Sequence, residues 1–255
     1  MRVYCYLLLL LFYTPWAVAE SLSVAVASNF TATMQQLAKR FEADTGYRLK
    51  SSYGSTGKLY AQIINGAPYQ IFLAADKVRP QRLQSIGNMT VGQPFTYAIG
   101  QLLLWAPKAS SVQQAQQQLR QGDFNFLAIA NPKTAPYGVA AMEVLANMGL
   151  DGRYRKKTVK GENIAQTFQF VYSGNAQLGF IANAQRQSTT TPLPGVIWQI
   201  PQHHYQAIEQ QAILLKRGEQ SAAAQAFMQF LQSDEARQLI VASGYGVVDN
   251  VPTNQ

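Results

Sequence analysis

Val24-Ala25-Val26-Ala27-Ser28-Asn29-Phe30, followed without a break by Thr31-Ala32-Thr33-Met34-Gln35-Gln36-Leu37-Ala38-Lys39-Arg40-Phe41, decides how the rest of the chain is read. The first part is a short apolar run of the kind a buried parallel strand requires. In the second, Phe30, Met34, Leu37, Ala38 and Phe41 recur at helical spacing. Ser28 and Asn29 therefore fall at a strand-to-helix turn. There the first backbone N–H groups of the helix lack intrahelical partners and sit at the positive end of its dipole. A small polar residue in that place either caps the helix or joins the backbone in presenting donors to an anion. One such turn decides nothing, because capping is its ordinary role; its recurrence does.

The construction returns three times. Arg48 to Tyr53 alternates as a strand, Gly54-Ser55-Thr56-Gly57 breaks it, and Lys58 to Ile64 reads as a helix closed by Asn65-Gly66. Phe126 to Ala130 is a buried strand, followed by Asn131-Pro132-Lys133-Thr134-Ala135-Pro136-Tyr137-Gly138 and a helix over Val139 to Met148, with two prolines fixing the loop. Lys156 to Lys160 leads to Gly161-Glu162-Asn163-Ile164 and the helix Ala165 to Tyr172. In open α/β sheets ligands lie beyond the carboxyl ends of the strands, which is where all four turns fall.

The first nineteen residues read as a secretory signal peptide: Arg2, an apolar stretch from Tyr6 to Tyr13, and Ala17-Val18-Ala19 as the cleavage signal before Glu20. The apolar stretch falls short of the roughly 20 residues that span a bilayer. The only cysteine, Cys5, lies inside it. The mature chain then has no disulfide, no thiolate metal site and no cysteine nucleophile. Removing Arg2 leaves 20 basic against 13 acidic residues, a net +7. The basic residues are scattered apart from Arg153, Arg155, Lys156, Lys157 and Lys160, which read as a solvated face, so no nucleic-acid partner is expected.

Residues 20–255 are long for one domain, and alternating strand and helix patterns fit two α/β lobes. Ile71 to Ala74 is a short buried strand, with Asp76 as N-cap of the helix through Leu83. Val112 to Gln121, rich in glutamine, is a polar-faced helix. Leu178 to Ala182 and Val196 to Pro201 are strands, and helices over Ala222 to Leu231 and from Asp234 pack on the first lobe. Two extended runs, Phe95 to Pro107 and Gln206 to Leu215, read as crossings by which the chain leaves the first lobe and returns. The boundaries are a first lobe of residues 20–98 and 210–255 and a second of 99–209.

The four turns offer hydroxyls, an amide and backbone N–H groups; Lys58 and Lys133 only flank them, and Glu162 is their only acid. Neutral fixed dipoles suit an anion that must be held and released. A deprotonated tetrahedral oxyanion has only acceptor oxygens, whereas hydrogen phosphate needs an acceptor for its proton, so sulfate, molybdate or tungstate fit ahead of phosphate. An exported enzyme is the competing class. His203-His204 is the only histidine pair and lacks the partners of a metal site. No Gly-x-Ser-x-Gly elbow occurs, and Gly54-Ser55-Thr56-Gly57-Lys58 lacks the spacing of a phosphate loop.

Taken in order, Val24 to Phe30, Gly54-Ser55-Thr56-Gly57-Lys58-Leu59-Tyr60-Ala61-Gln62-Ile63, Gly66-Ala67-Pro68 with Phe72-Leu73-Ala74-Ala75-Asp76, and Asn131-Pro132 to Ala135-Pro136-Tyr137-Gly138 resemble the periplasmic molybdate-binding proteins of ABC transporters over the whole mature chain. The resemblance implies a type II periplasmic-binding-protein fold, two α/β lobes joined by two hinge crossings and closing on molybdate or tungstate without a cofactor. It implies a periplasmic monomer that serves an inner-membrane ABC permease, with sulfate or another oxyanion as the alternative ligand. Carried over by position, Ser28, Asn29, Ser55 and Thr56 supply donors from the first lobe, and the backbone N–H groups of Tyr137 and Ile164 from the second. Some family members add a tyrosine hydroxyl after the strand matching Leu178 to Ala182. Here Ala182-Asn183 follows, which shifts the expected contribution to Asn29. Tyr69-Gln70 stands where the family usually has an aspartate, a change expected to bear on local packing.

Overall fold

The computed structural model describes residues 20–247; the signal-peptide reading lies outside them. Two five-stranded mixed sheets carry helices on both faces. The first begins with β1 (Ser21–Ala27), α1 (Thr31–Thr45), β2 (Arg48–Gly54), α2 (Thr56–Ile64), β3 (Ile71–Leu73), α3 (Val78–Ser85) and β4 (Thr90–Gly100). The second holds β5 (Leu102–Ala106), α4 (Val112–Gln121), β6 (Leu127–Ala130), α5 (Pro136–Asn147), β7 (Thr158–Gly161), α6 (Ile164–Tyr172), β8 (Leu178–Ala182), α7 (Asn183–Gln187) and β9 (Val196–Gln199). The chain then returns through β10 (Ile208–Leu215) to α8 (Ala222–Phe230) and α9 (Asp234–Ala242).

The strand orders are β2-β1-β3-β10-β4 and β7-β6-β8-β5-β9. β1 runs parallel to β2 and β3, and β6 parallel to β7 and β8, while β10 and β5 run antiparallel to their neighbours. The extended run from Phe95 is thus two strands in different sheets, divided at Gln101. The returning run is an antiparallel strand inserted between β3 and β4.

Period-two alternation assigns the faces. On β1, Leu22, Val24 and Val26 pack with Phe30 just before α1, Met34, Leu37 and Phe41 of α1 and Phe227 of α8, whereas Ala25 faces Leu59 and Ile63 of α2 and Leu83 of α3. In the second sheet Leu102, Leu104, Ile129 and Phe180 meet Leu119 of α4 and Val144 of α5, and Leu103, Trp105 and Ile181 meet Phe168 and Val171 of α6. Caps set the ends. The Ser111 side chain accepts from the Gln114 N–H at 3.2 Å to start α4, and Gly122, at φ 75°, ends it in the left-handed region. Asp76 lies one residue before the N-cap of α3, yet its carboxylate accepts from the Arg79 N–H at 2.9 Å and pairs with the Arg79 guanidinium, so it orders the same turn. Gln70, just before β3, accepts from the Ser23 N–H at 2.8 Å and so ties β3 to β1.

Candidate functional site

Four helix starts meet between the sheets. They surround a small cavity lined by Ala27, Ser28, Asn29, Gly54, Ser55, Thr56, Ala75, Ala135, Pro136, Tyr137, Asn163 and Ile164. All six residues singled out in the sequence line it, and the side chains of all six are buried. None of the lining residues is charged.

The question left open by the sequence, whether these residues only cap their helices, is answered residue by residue. Ser55 holds the N-cap position of α2 in extended conformation but makes no capping bond. Its hydroxyl is buried without a partner among the described residues. Leaving a buried hydroxyl unsatisfied costs about 1–3 kcal/mol, a cost recovered only when a ligand supplies the missing acceptor. Thr56 works in the structure itself: its Oγ1 accepts from the Ala75 N–H at 3.1 Å, which holds the end of β3 against α2. Ser28 opens a 3-10 turn, Ser28–Phe30, that runs straight into α1, and neither segment has a side-chain cap.

The Asn29 side-chain amide donates to Gln210 Oε1 at 2.8 Å and to the Tyr245 hydroxyl at 3.1 Å. Both of its hydrogens are thus committed beneath the cavity. Nor do Ala182 and Asn183 replace the missing tyrosine: Asn183 Nδ2 donates instead to Gln101 Oε1 at 2.9 Å and the Gly244 carbonyl at 3.0 Å. On the second-lobe side, α5 starts at Pro136, so the N–H of Tyr137 lies in the first turn. Asn163 caps α6 by accepting from the Gln166 N–H at 3.0 Å, which leaves the Ile164 N–H uncapped at the cavity wall. Gln185 braces this corner, donating to the Ile164 carbonyl at 2.9 Å.

The electrostatics come from dipoles. A helix N-terminus is equivalent to roughly +0.5 charge, so four of them oppose a dianion with about +2 while placing no mobile cation in the cavity. Lys58 and Glu162 are outside the lining and pair with each other across the cleft mouth at 2.6 Å, each about half exposed. Beside them the Gly57 N–H donates to the Thr134 carbonyl at 2.8 Å. The tyrosines behind the cavity are neutral: burial, more than any neighbour, raises the hydroxyls of Tyr97, Tyr137 and Tyr245 well above the usual tyrosine range.

The other residues weighed as sites lie elsewhere. His203 and His204 stand on a surface turn, ring centroids 4.3 Å apart, and desolvation, then His203, lowers the His204 pKa. Among the described residues no cluster of His, Cys, Asp and Glu could hold a metal ion. Sequence reasoning missed Gln210, Tyr97 and Tyr245, which carry no motif and meet only through the fold.

Comparison with known proteins agrees with this geometry. Residues 22–246 match the family described as bacterial extracellular solute-binding protein. The molybdate-binding protein ModA of Azotobacter vinelandii is 45% identical over 231 residues, which cover 91% of this chain and 92% of that protein. The protein of the same name from Rhodobacter capsulatus is 38% identical, over 90% of this chain and 89% of its own. A solved structure, the Azotobacter vinelandii periplasmic molybdate-binding protein, superposes with a TM-score of 0.84 and 38% identity, covering 89% of this chain and 99% of that one.

Proposed function

Because the chain belongs to the bacterial extracellular solute-binding proteins, and among them to the family of the molybdate-binding protein ModA, we propose that it binds molybdate or tungstate between its lobes for an ABC transporter. The observation that carries this reading is the Ser55 hydroxyl, buried without a partner in a cavity walled by four helix starts and no charged side chain. Each turn brings donors, and the one carboxylate among them, Glu162, lies outside the cavity lining and is paired with Lys58. An oxyanion without protons satisfies such a shell, while hydrogen phosphate lacks a carboxylate to receive its proton.

The binding shell consists of Ser28, Ser55 and Thr56 with the backbone of Asn29 on one side, and the backbone N–H groups of Tyr137 and Ile164 on the other. Donors from both lobes reach the ligand only when the lobes are together, so the ligand stabilises the closed form by its differential affinity. The crossings between β4 and β5 and between β9 and β10 act as the hinge. The protein works as a periplasmic monomer, exported and cleaved near Ala19, and delivers its ligand to an inner-membrane permease. It needs no cofactor, has no nucleic-acid partner and carries out no turnover.

Calorimetric titration of residues 20–255 with molybdate, tungstate, sulfate and phosphate tests the reading. Tight one-to-one binding of the first two with little heat from the others is expected. Tight sulfate or phosphate binding would overturn the ligand, and no binding of any would overturn the function.

A further inference from the structure

Gln210, on β10, is completely buried, and the shell described above does not use it. Its Oε1 accepts from the Asn29 side-chain amide at 2.8 Å and from the Tyr97 hydroxyl at 3.2 Å, and its Nε2 donates to the Tyr137 hydroxyl at 3.4 Å. One amide therefore holds Asn29 and Tyr137, whose backbone N–H groups serve the site from opposite lobes. Tyr245 completes the grip, accepting from Asn29 Nδ2 and donating to the Asn29 carbonyl at 2.8 Å.

The location matters as much as the bonds. β10 returns the chain from the second sheet, and its register with β4 shifts between Gln210 and Gln211. Such an irregularity re-aims a side chain out of the ladder's alternation. On the other crossing, Gly100 ends β4, and a Cβ there would lie 2.4 Å from the Tyr137 hydroxyl and 2.9 Å from Gln210 Nε2. The absence of a side chain at Gly100 is what lets this pair meet. Both crossings thus converge on the contact between Gln210 and Tyr137.

We propose that Gln210 is a positioning residue that couples lobe closure to oxyanion binding, by fixing Asn29 from the first lobe and engaging Tyr137 from the second. This rests on the molybdate-binding reading. An amide is suited to the role: it accepts from one lobe and donates to the other, and it adds no charge beneath a dianion. An ionised glutamate would turn the donor into a second acceptor and repel the ligand; a leucine would fill the space and join nothing.

The test is molybdate binding by the wild type, Q210L, Y137F and the double variant, with affinity and dissociation rate measured and thermal unfolding of the ligand-free proteins recorded alongside. Q210L is expected to bind about tenfold more weakly, mainly through faster dissociation. The double variant is expected to bind no worse than Q210L alone, since both substitutions break one contact. A purely structural residue would lower the unfolding temperature and leave the two losses additive. If the wild type fails to bind molybdate, the functional reading falls. If the wild type binds and Q210L binds as tightly, or its loss adds in full to that of Y137F, the coupling role falls. Should Q210L not fold, Q210E takes its place: its affinity must decline relative to wild type as pH rises and the carboxyl ionises, and a profile parallel to the wild type's overturns the proposal.

Discussion

The Gly57 N–H donates to the Thr134 carbonyl at 2.8 Å, joining the start of α2 to the loop before α5 across the cleft. A Cβ at position 57 would lie 2.9 Å from Thr134 Cα and 3.0 Å from its oxygen, so the two backbones approach too closely for any other residue. Gly57→Ala is expected to keep the lobes from closing fully. Molybdate affinity should fall by about tenfold or more, the cost of an overpacked contact being about 1–3 kcal/mol. Small-angle scattering should show the ligand-saturated variant less compact than the ligand-saturated wild type, and equal compaction would count against this account.

Ser55 and Thr56 are adjacent and chemically alike, yet their loss should have opposite effects on the ligand-free protein. Ser55→Ala removes a buried hydroxyl without a partner, so the unfolding temperature should hold or rise. Thr56→Ala orphans the buried Ala75 N–H and should destabilise by about 1–3 kcal/mol. Ser55→Ala should nevertheless weaken molybdate binding about ten- to a hundredfold, as expected for a hydrogen bond to a charged group. Calorimetry and thermal unfolding of the two variants decide it.

How far the sequence reached follows from the range of the forces involved. The turns at Ser28, Ser55, Tyr137 and Ile164 were legible because strand pattern, helix spacing and small polar residues are local, and a parallel βα fold sends every such turn to the same end of its sheet. The helix over Val112–Gln121 was legible for the same reason, since Ala115 and Leu119 alone define its buried side and Gly122 ends it. Gln210 was not: in Glu209-Gln210-Gln211 nothing local marks the middle residue, and only a register shift against β4 and partners 181, 113 and 73 residues away make it the centre of a network. Asn29 lines the cavity, but the direction of its side chain depends on Tyr245, 216 residues distant.

The Lys58 to Glu162 pair crosses the cleft mouth at 2.6 Å with both side chains about half exposed. Exposed pairs contribute about 0–1 kcal/mol and are screened by salt. Lys58→Met should therefore weaken molybdate binding less than about fivefold at low ionic strength, and the difference from wild type should vanish as salt is raised. A large loss that survives high salt would place Lys58 in the binding shell itself.

Tyr97, Tyr137 and Tyr245 fix the alkaline limit of the fold. Burial raises each hydroxyl well above the ordinary value of 10.0, so in the native state all three stay protonated where the unfolded chain has begun to ionise. The unfolded state then binds fewer protons than the native state, and stability falls as pH rises. Their contribution is whole below the unfolded value and is lost progressively from about pH 10 upward through the native values. Unfolding temperature should accordingly show no tyrosine-linked change near neutrality and a steep fall in strong alkali, with the tyrosinate absorbance of these three buried residues appearing together with unfolding and not before it. Tyr245→Phe should start from lower stability, because Asn29 loses an acceptor, yet lose less per pH unit in the alkaline range. Tyrosinate absorbance from all tyrosines while the protein is still folded would show that these hydroxyls are not held neutral behind the cavity.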